Sequence, residues 1–145
     1  MFKVTIDEVR SIPEANNYMI ALKDETDRYL FIWIGKAEAL AIAAALNNVP
    51  FPRPMTADFM VNMFKAMDIQ LVEVRIEALK DEIFYAVVKV RNGSIEREID
   101  ARPSDALALA VHMHSPIYVA DEVMQRCAHP LSEGLVPMDA SSTLD

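Results

Sequence analysis

Cysteine, glycine and long apolar runs are all scarce in this chain of 145 residues. The lone cysteine, Cys127, cannot form an internal disulfide, so we expect a reducing compartment, the cytoplasm being the simplest choice. Only three glycines are present, which excludes collagen-like and low-complexity chains. No apolar run approaches the ~20 residues that span a bilayer, and acidic residues follow Met1 too early for a secretory signal. No association with a membrane is predicted.

Basic residues are also in deficit, with 14 Lys and Arg against 22 Asp and Glu and a formal net charge of −8. A negative field opposes non-specific attraction to phosphate backbones, so a DNA-coating role is disfavoured. An enzyme acting on nucleic acid stays open, because a local arginine patch and a bound metal can reverse the sign of the charge at one site.

The alternation of apolar and polar residues indicates one α+β domain. Period-two segments predict strands near residues 2–6, 18–22, 71–76, 83–90 and 94–100, with a type I′ turn at Asn92-Gly93. The run at residues 29–34 is apolar on both faces and is therefore placed centrally in the sheet. Helices are predicted over residues 36–46, from an N-cap at Thr56 to about Met67, from Pro103 to about Met113, and over residues 121–128.

The predicted domain spans residues 1–129, and residues 130–145 are predicted to be a polar C-terminal tail without periodicity. The fold class is α+β, with a mostly antiparallel twisted sheet and three to four helices packed against it in a single domain.

Three helices begin with an acidic residue in their first turn, and two of them are preceded by arginine. The segments are residues 34–39, 53–58 and 100–106, and their charged members are Glu38, Arg53, Asp58, Asp100, Arg102 and Asp105. The helices that follow Glu38 and Asp105 are apolar all round and so are expected to be buried, with first turns that open into a common crevice. Converging carboxylates there would bind Mg²⁺ or Mn²⁺, and the two arginines would clamp a phosphate. Metal-activated water attacking phosphorus is the matching reaction class.

A purely structural interpretation explains the same charges. Carboxylates in the first turn reach back to the capping N–H groups and meet the positive end of the helix dipole, which stabilises each helix by roughly 0.3–1 kcal/mol. Arg53 and Arg102 would then form ion pairs with neighbouring aspartates. His112 and His114, two residues apart, lie on different helix faces, which makes a shared metal site between them a weak candidate.

The same segments resemble the bifunctional nuclease (BFN) domain family. The runs that carry the resemblance are residues 32–43, 53–58, 100–110 and 116–119, within roughly residues 1–128. The resemblance implies a compact α+β domain, self-association, most simply as a homodimer, and nuclease activity on DNA and RNA. In its second motif the family usually has His between Thr and Asp, where this chain has Ala57. The family often has Arg where this chain has His112.

Two functions follow. The first is a metal-assisted nuclease with Asp58, Asp100 and Asp105 as metal ligands, Glu38 as an accessory ligand or water-orienting base, and Arg53 and Arg102 as phosphate-binding residues. The second is a non-catalytic oligomeric interaction or regulatory module, in which the same charges are ion pairs and helix caps.

Overall fold

The computed structural model describes residues 1–130, so the predicted tail from residue 131 onward lies outside the described residues. Within this range the chain forms eight strands and four α-helices, and none of its helices is long and apolar enough to cross a membrane. The elements are β1 (Phe2–Ile12), β2 (Asn17–Asp24), β3 (Arg28–Ile34), α1 (Lys36–Leu46), α2 (Thr56–Ala66), β4 (Gln70–Lys80), β5 (Ile83–Asn92), β6 (Ile95–Ala101), α3 (Pro103–Met113), β7 (Ile117–Val119), α4 (Asp121–Cys127) and β8 (His129–Pro130).

All eight strands belong to one sheet with the order β6-β5-β4-β7-β1-β2-β3-β8. Neighbouring strands are antiparallel except β4 and β7, which run parallel. The predicted class, a mostly antiparallel α+β domain, is confirmed.

The helix layer is organised around α3, which contacts both α1 and α2 as well as β4 and β5. Its residues from Ala106 to Ala110 are all buried, as the apolar sequence predicted. The same prediction is wrong for α1, where Ala39 and Ile42 are buried but Leu40 is exposed. The reason is position, because only one side of α1 meets α3 and the sheet.

Strand β3 is not central, which corrects the sequence prediction. It is the seventh strand in the order, and among the described residues its outer neighbour β8 pairs only with Arg28 and Tyr29. Trp33 near its end is 58% exposed. An apolar sequence on both faces of this strand therefore does not mean that both faces are buried.

The hairpin turn between β5 and β6 differs from the sequence prediction. Asn92 pairs with Ile95, so the turn is Gly93-Ser94, and only Gly93 has positive φ, which is the pattern of a type II′ turn. The type I′ pattern, with positive φ at both central residues, occurs instead at Asp81 (51°) and Glu82 (65°) between β4 and β5.

Candidate functional site

The first turns of α1, α2 and α3 are built alike. In none of the three helices does the side chain of the N-cap residue form a capping hydrogen bond. The third residue of each helix is acidic. In α2 the N-cap is Met55 rather than the predicted Thr56, because the Asp58 carboxylate (Oδ2) accepts the Met55 N–H at 2.9 Å. This reach back to the N-cap satisfies a donor that the helix itself leaves unpaired.

Glu38 of α1 folds back over the N-cap Gly35. A Cβ atom built on Gly35 would lie 2.6 Å from the Glu38 Oε1 atom, so the carboxylate occupies the space that only glycine leaves free. Glu38 is the third residue of the helix, as predicted, and the local sequence holds its carboxylate at the helix N-terminus.

Arg102 and Asp105 form a two-pronged ion pair at the start of α3. The Nε and Nη2 atoms of Arg102 donate to the two Asp105 carboxylate oxygens at 2.8 and 3.1 Å. This hydrogen bond, the charge of Asp105 and then the charge of Glu38 raise the pKa of Arg102 above its usual value. Asp105 therefore binds this guanidinium directly, whereas Glu38, on another helix, influences it only through its charge.

These first turns open into one crevice of about 270 Å³. Glu38 comes from α1, Thr56 from α2, and Arg102, Ser104 and Asp105 from α3 and its N-cap. The expectation that the helix starts meet in a shared crevice is therefore confirmed.

The other predicted site residues lie outside this lining. Asp58 faces α3, where His112 Nε2 lies 3.7 Å from its Oδ1. Asp100 is exposed on the edge strand β6, opposite Val87 of β5. The predicted ligand set of Asp58, Asp100 and Asp105 is not brought together, and no three His, Cys, Asp or Glu side chains within residues 1–130 are arranged to hold a metal ion.

Two further cavities adjoin the crevice. One, of about 280 Å³, contains Arg53 and shares Met55 and Thr56 with the crevice. The other, of about 450 Å³, contains Trp33 and shares Glu38, Arg102 and Ser104 with it. Its walls come from β3 and from the β4–β5 turn, although β5 and β3 are the second and seventh strands of the sheet. The sheet must therefore curl to bring these two ends together.

Sequence reasoning missed three residues of this region. Ser104 has no predicted site role, and Trp33 lies in the run that is predicted as a central strand. His112 is predicted to share no site with His114, and its contact is with Asp58 on another helix. Of the three, only Ser104 could have been identified from the sequence, because it is a polar residue in the first turn of a helix that is otherwise largely apolar and buried.

Comparison with known proteins decides the family. Residues 20–132 match the bifunctional nuclease domain. The chain belongs to the bifunctional nuclease domain family. An uncharacterized protein of Mycobacterium tuberculosis is 38% identical over 126 residues, which cover 86% of this chain and 74% of that protein.

Plant relatives carry the name bifunctional nuclease 1. The Arabidopsis thaliana protein is 30% identical and the Oryza sativa (japonica) protein 27% identical over 104 residues, or 70% of this chain. The matched regions cover only 32% and 31% of those plant proteins, respectively, so they contain much that this bifunctional nuclease domain does not match.

This bifunctional nuclease domain lacks the histidine of the second family motif, but another helix brings a histidine close to the aspartate of that motif. Position 57 is alanine, but the imidazole of His112 approaches Asp58 from α3. An imidazole therefore lies beside this aspartate although the second motif does not supply it.

Proposed function

We propose that this bifunctional nuclease domain hydrolyses phosphodiester bonds of DNA or RNA at the three-helix crevice, in a reducing compartment such as the cytoplasm. The observation that carries the proposal is that Glu38, Arg102 and Asp105 line one crevice at helix N-termini, in a chain of this family. Helix N-termini present unpaired N–H groups and a positive dipole end, which favour phosphate oxygens.

The chain's own residues have distinct roles in this proposal. The planar guanidinium of Arg102 binds the scissile phosphate through two donors, and Arg53 in the adjoining cavity binds the next phosphate along the strand. Glu38 accepts a proton from the attacking water. Asp58 orients the imidazole of His112 across the contact between α2 and α3.

The donor set of the crevice suits a magnesium or manganese ion held together with substrate. Such ions are usually bound by one or two carboxylates plus substrate phosphate oxygens, and Glu38 and Asp105 are two carboxylates in the same crevice. Such an ion would supply neutralisation of charge on the phosphate. Asp105 would hold such an ion, with Glu38 as an accessory ligand or as the group that orients the attacking water. Arg102 has three N–H donors beyond the two that Asp105 accepts, and these would bind the phosphate.

The test is cleavage by highly purified protein of single- and double-stranded DNA and of RNA, with Mg²⁺, with Mn²⁺ and with EDTA. We expect cleavage that EDTA abolishes, and a loss of about two orders of magnitude in Asp105→Asn. Asp100→Asn is the matched control, since Asp100 is an exposed aspartate outside the crevice, and it should retain the wild-type rate. Equal losses in both variants contradict the assignment of the crevice, and unchanged cleavage in both identifies a contaminant.

A non-catalytic interaction module is the second candidate, because the acidic groups are already engaged. Asp58 binds its own N-cap, Asp105 binds Arg102, and Glu38 lies against Gly35. Absence of cleavage under all the conditions above, with a folded protein, supports this candidate instead.

Self-association as a homodimer is proposed through an exposed apolar row on α2, its N-cap and its C-cap. The row consists of Met55, Phe59, Met63 and Met67, at four-residue spacing. Light scattering is expected to give twice the chain mass of 16.3 kDa. The double variant Phe59→Ser/Met63→Ser should be monomeric, whereas Tyr85→Ser, which removes an exposed aromatic ring elsewhere, should not change the mass. A wild-type monomer at high concentration contradicts the proposal.

A further inference from the structure

We propose that the 450 Å³ cavity beside the crevice is a nucleobase subsite, in which Trp33 stacks on an unpaired base and Ser104 donates a hydrogen bond to the adjoining phosphate. The substrate class is therefore single-stranded nucleic acid. This inference rests on the proposed function, since it concerns the same crevice, and it names the part of the substrate that lies next to the reacting phosphate.

The cavity is continuous with the crevice. Glu38, Arg102 and Ser104 line both of them, so a group bound in the cavity lies directly beside the proposed phosphate position. Its volume of about 450 Å³ falls in the range of small-molecule sites and accommodates a base with its sugar.

Trp33 is the side chain that suits a base. It is the only tryptophan of the chain, it is 58% exposed, and it lines this cavity. Most of its ring surface is open to a ligand rather than packed in the core. Every base has a π-face, so stacking on an aromatic ring binds bases without regard to sequence.

Ser104 provides a hydroxyl group where the cavity meets the crevice. It is only 7% exposed, it lines both cavities, and its hydroxyl forms no hydrogen bond with any described residue. This hydroxyl keeps access to solvent, since Arg10 Nε is the only fully buried side-chain nitrogen or oxygen without a partner among the described residues. It is therefore available to donate a hydrogen bond to a bound ligand. A phosphate oxygen held by Arg102 would be a suitable acceptor.

The charges of the cavity decide which part of a nucleotide enters it. Glu38 and Glu82 contribute two carboxylates against the single guanidinium of Arg102. That net negative charge would repel a phosphate inside the cavity, whereas it would not repel a neutral base. The crevice has the same balance, with Glu38 and Asp105 against Arg102, but there the divalent ion of the proposed function would offset it. The phosphate therefore stays at Arg102 and Ser104, and the base enters. A base within a duplex is stacked and paired, so it cannot enter without being extruded.

Because Trp33 is the only tryptophan, its fluorescence reports on this subsite directly. The probes are a phosphorothioate DNA strand that resists cleavage, a strand of the same length made of abasic sites, and the matching duplex, each with Mg²⁺ present. We expect the base-bearing strand to quench the fluorescence, and the abasic strand and the duplex to bind more weakly without quenching. Binding of the base-bearing strand without quenching overturns the proposal, as does failure of that strand to bind.

Three variants then separate the base from the phosphate, with affinity measured by anisotropy of labelled strands. Trp33→Ala should weaken binding of the base-bearing strand by roughly 5- to 150-fold, equivalent to the ~1–3 kcal/mol of one stacked base, and leave the abasic strand unchanged. Trp33→Phe should bind the base-bearing strand almost as tightly as the wild type does.

Ser104→Ala should weaken the binding of both strands to the same extent. Tyr85→Ala, the matched control at an exposed aromatic residue, should weaken neither. Equal loss for both strands in Trp33→Ala overturns the proposal.

Cleavage assays keep this inference distinct from the proposed function. Quenching by the base-bearing strand without cleavage supports the subsite and rejects hydrolysis. Cleavage without quenching supports hydrolysis and overturns the subsite.

Discussion

Replacing Arg102 with alanine is expected to lower kcat/KM for a single-stranded substrate by about 10²–10³-fold, the loss typical of removing one positioned donor from a charged transition state. Arg102 is the cation that lines both the crevice and the cavity beside it. Its removal also leaves the Glu38 and Asp105 carboxylates to repel the phosphate. The fold should tolerate the change, since the ion pair with Asp105 is exposed and such pairs contribute about 0–1 kcal/mol.

A conservative variant and a matched control sharpen this test. Arg102→Lys keeps the charge but loses the planar pair of donors, so its rate should lie between wild type and alanine. Arg97→Ala removes another exposed arginine, whose guanidinium bonds only the backbone oxygen of Glu96 in the described structure, and should leave the rate unchanged. A wild-type rate in Arg102→Ala contradicts its role as a phosphate-binding residue.

The largest expected effect on stability is at Asp24, at the end of β2. Its side chain is buried and accepts hydrogen bonds from the backbone N–H groups of Thr26 (2.9 Å) and Arg28 (3.0 Å). It also accepts from the Thr26 hydroxyl at 2.8 Å and from the Arg28 Nε at 2.9 Å. Asp24→Asn turns an amide NH₂ toward these donors and leaves Arg28 uncompensated. We expect the free energy of unfolding to fall by about 2–4 kcal/mol and the Tm by about 5–15 °C.

This contribution should depend on pH in a defined direction. Burial raises the pKa of the Asp24 carboxyl, but the hydrogen bonds from Arg28 and Thr26 outweigh burial and hold the pKa below its ordinary value of 3.8. A carboxyl whose pKa is lowered by folding stabilises the protein above its unfolded pKa and loses that contribution as the pH falls through the folded one. Urea unfolding should therefore show a larger difference between wild type and Asp24→Asn at pH 7 than at pH 3.

Asp27→Asn is the matched control for this prediction. Asp27 belongs to the same turn, but its side chain is largely exposed, and among the described residues it forms an ion pair only with Lys23, at 3.7 Å. Its positive φ of 62° is one that asparagine also adopts readily. We expect a change of less than about 0.5 kcal/mol. Equal destabilisation by the two variants would mean that turn conformation, rather than the buried carboxylate, stabilises this hairpin.

The sequence predicts the start of a helix correctly where glycine or proline, with its unusual backbone preferences, stands at that start. Gly35 and Pro103 set the starts of α1 and α3 as predicted. The start of α2 differs from the prediction by one residue. Thr56 could cap the helix itself, or Asp58 could accept the N–H of Met55, and helix propensity does not decide between these two arrangements. The hairpin at Gly93 shifted by one residue for a similar reason, since two turn types suit nearly the same residues.

The site itself was only partly predictable. That the helix starts meet follows from the burial of α3, which its apolar sequence indicates. The meeting of Trp33 with the β4–β5 turn depends on how an eight-stranded sheet curls, and no local pattern encodes that curl. The contact of His112 with Asp58 arises between two helices far apart in sequence. An exposed tryptophan and a core tryptophan look the same in a hydropathy pattern.

Among the described residues, β6 is an edge strand of the sheet, and its charges affect how two copies of the chain could pair. Glu96, Glu98 and Asp100 alternate along it, opposite Arg91, Lys89 and Val87 of β5, so they share one face of the sheet. Two copies of β6 paired edge to edge about a two-fold axis through the sheet would place these acids opposite one another, and like charges so placed are destabilising. We therefore expect Asp100 to disfavour the edge-to-edge joining of two sheets. Replacing these three acidic residues with threonine would remove the repulsion. We expect that variant to precipitate at high protein concentration.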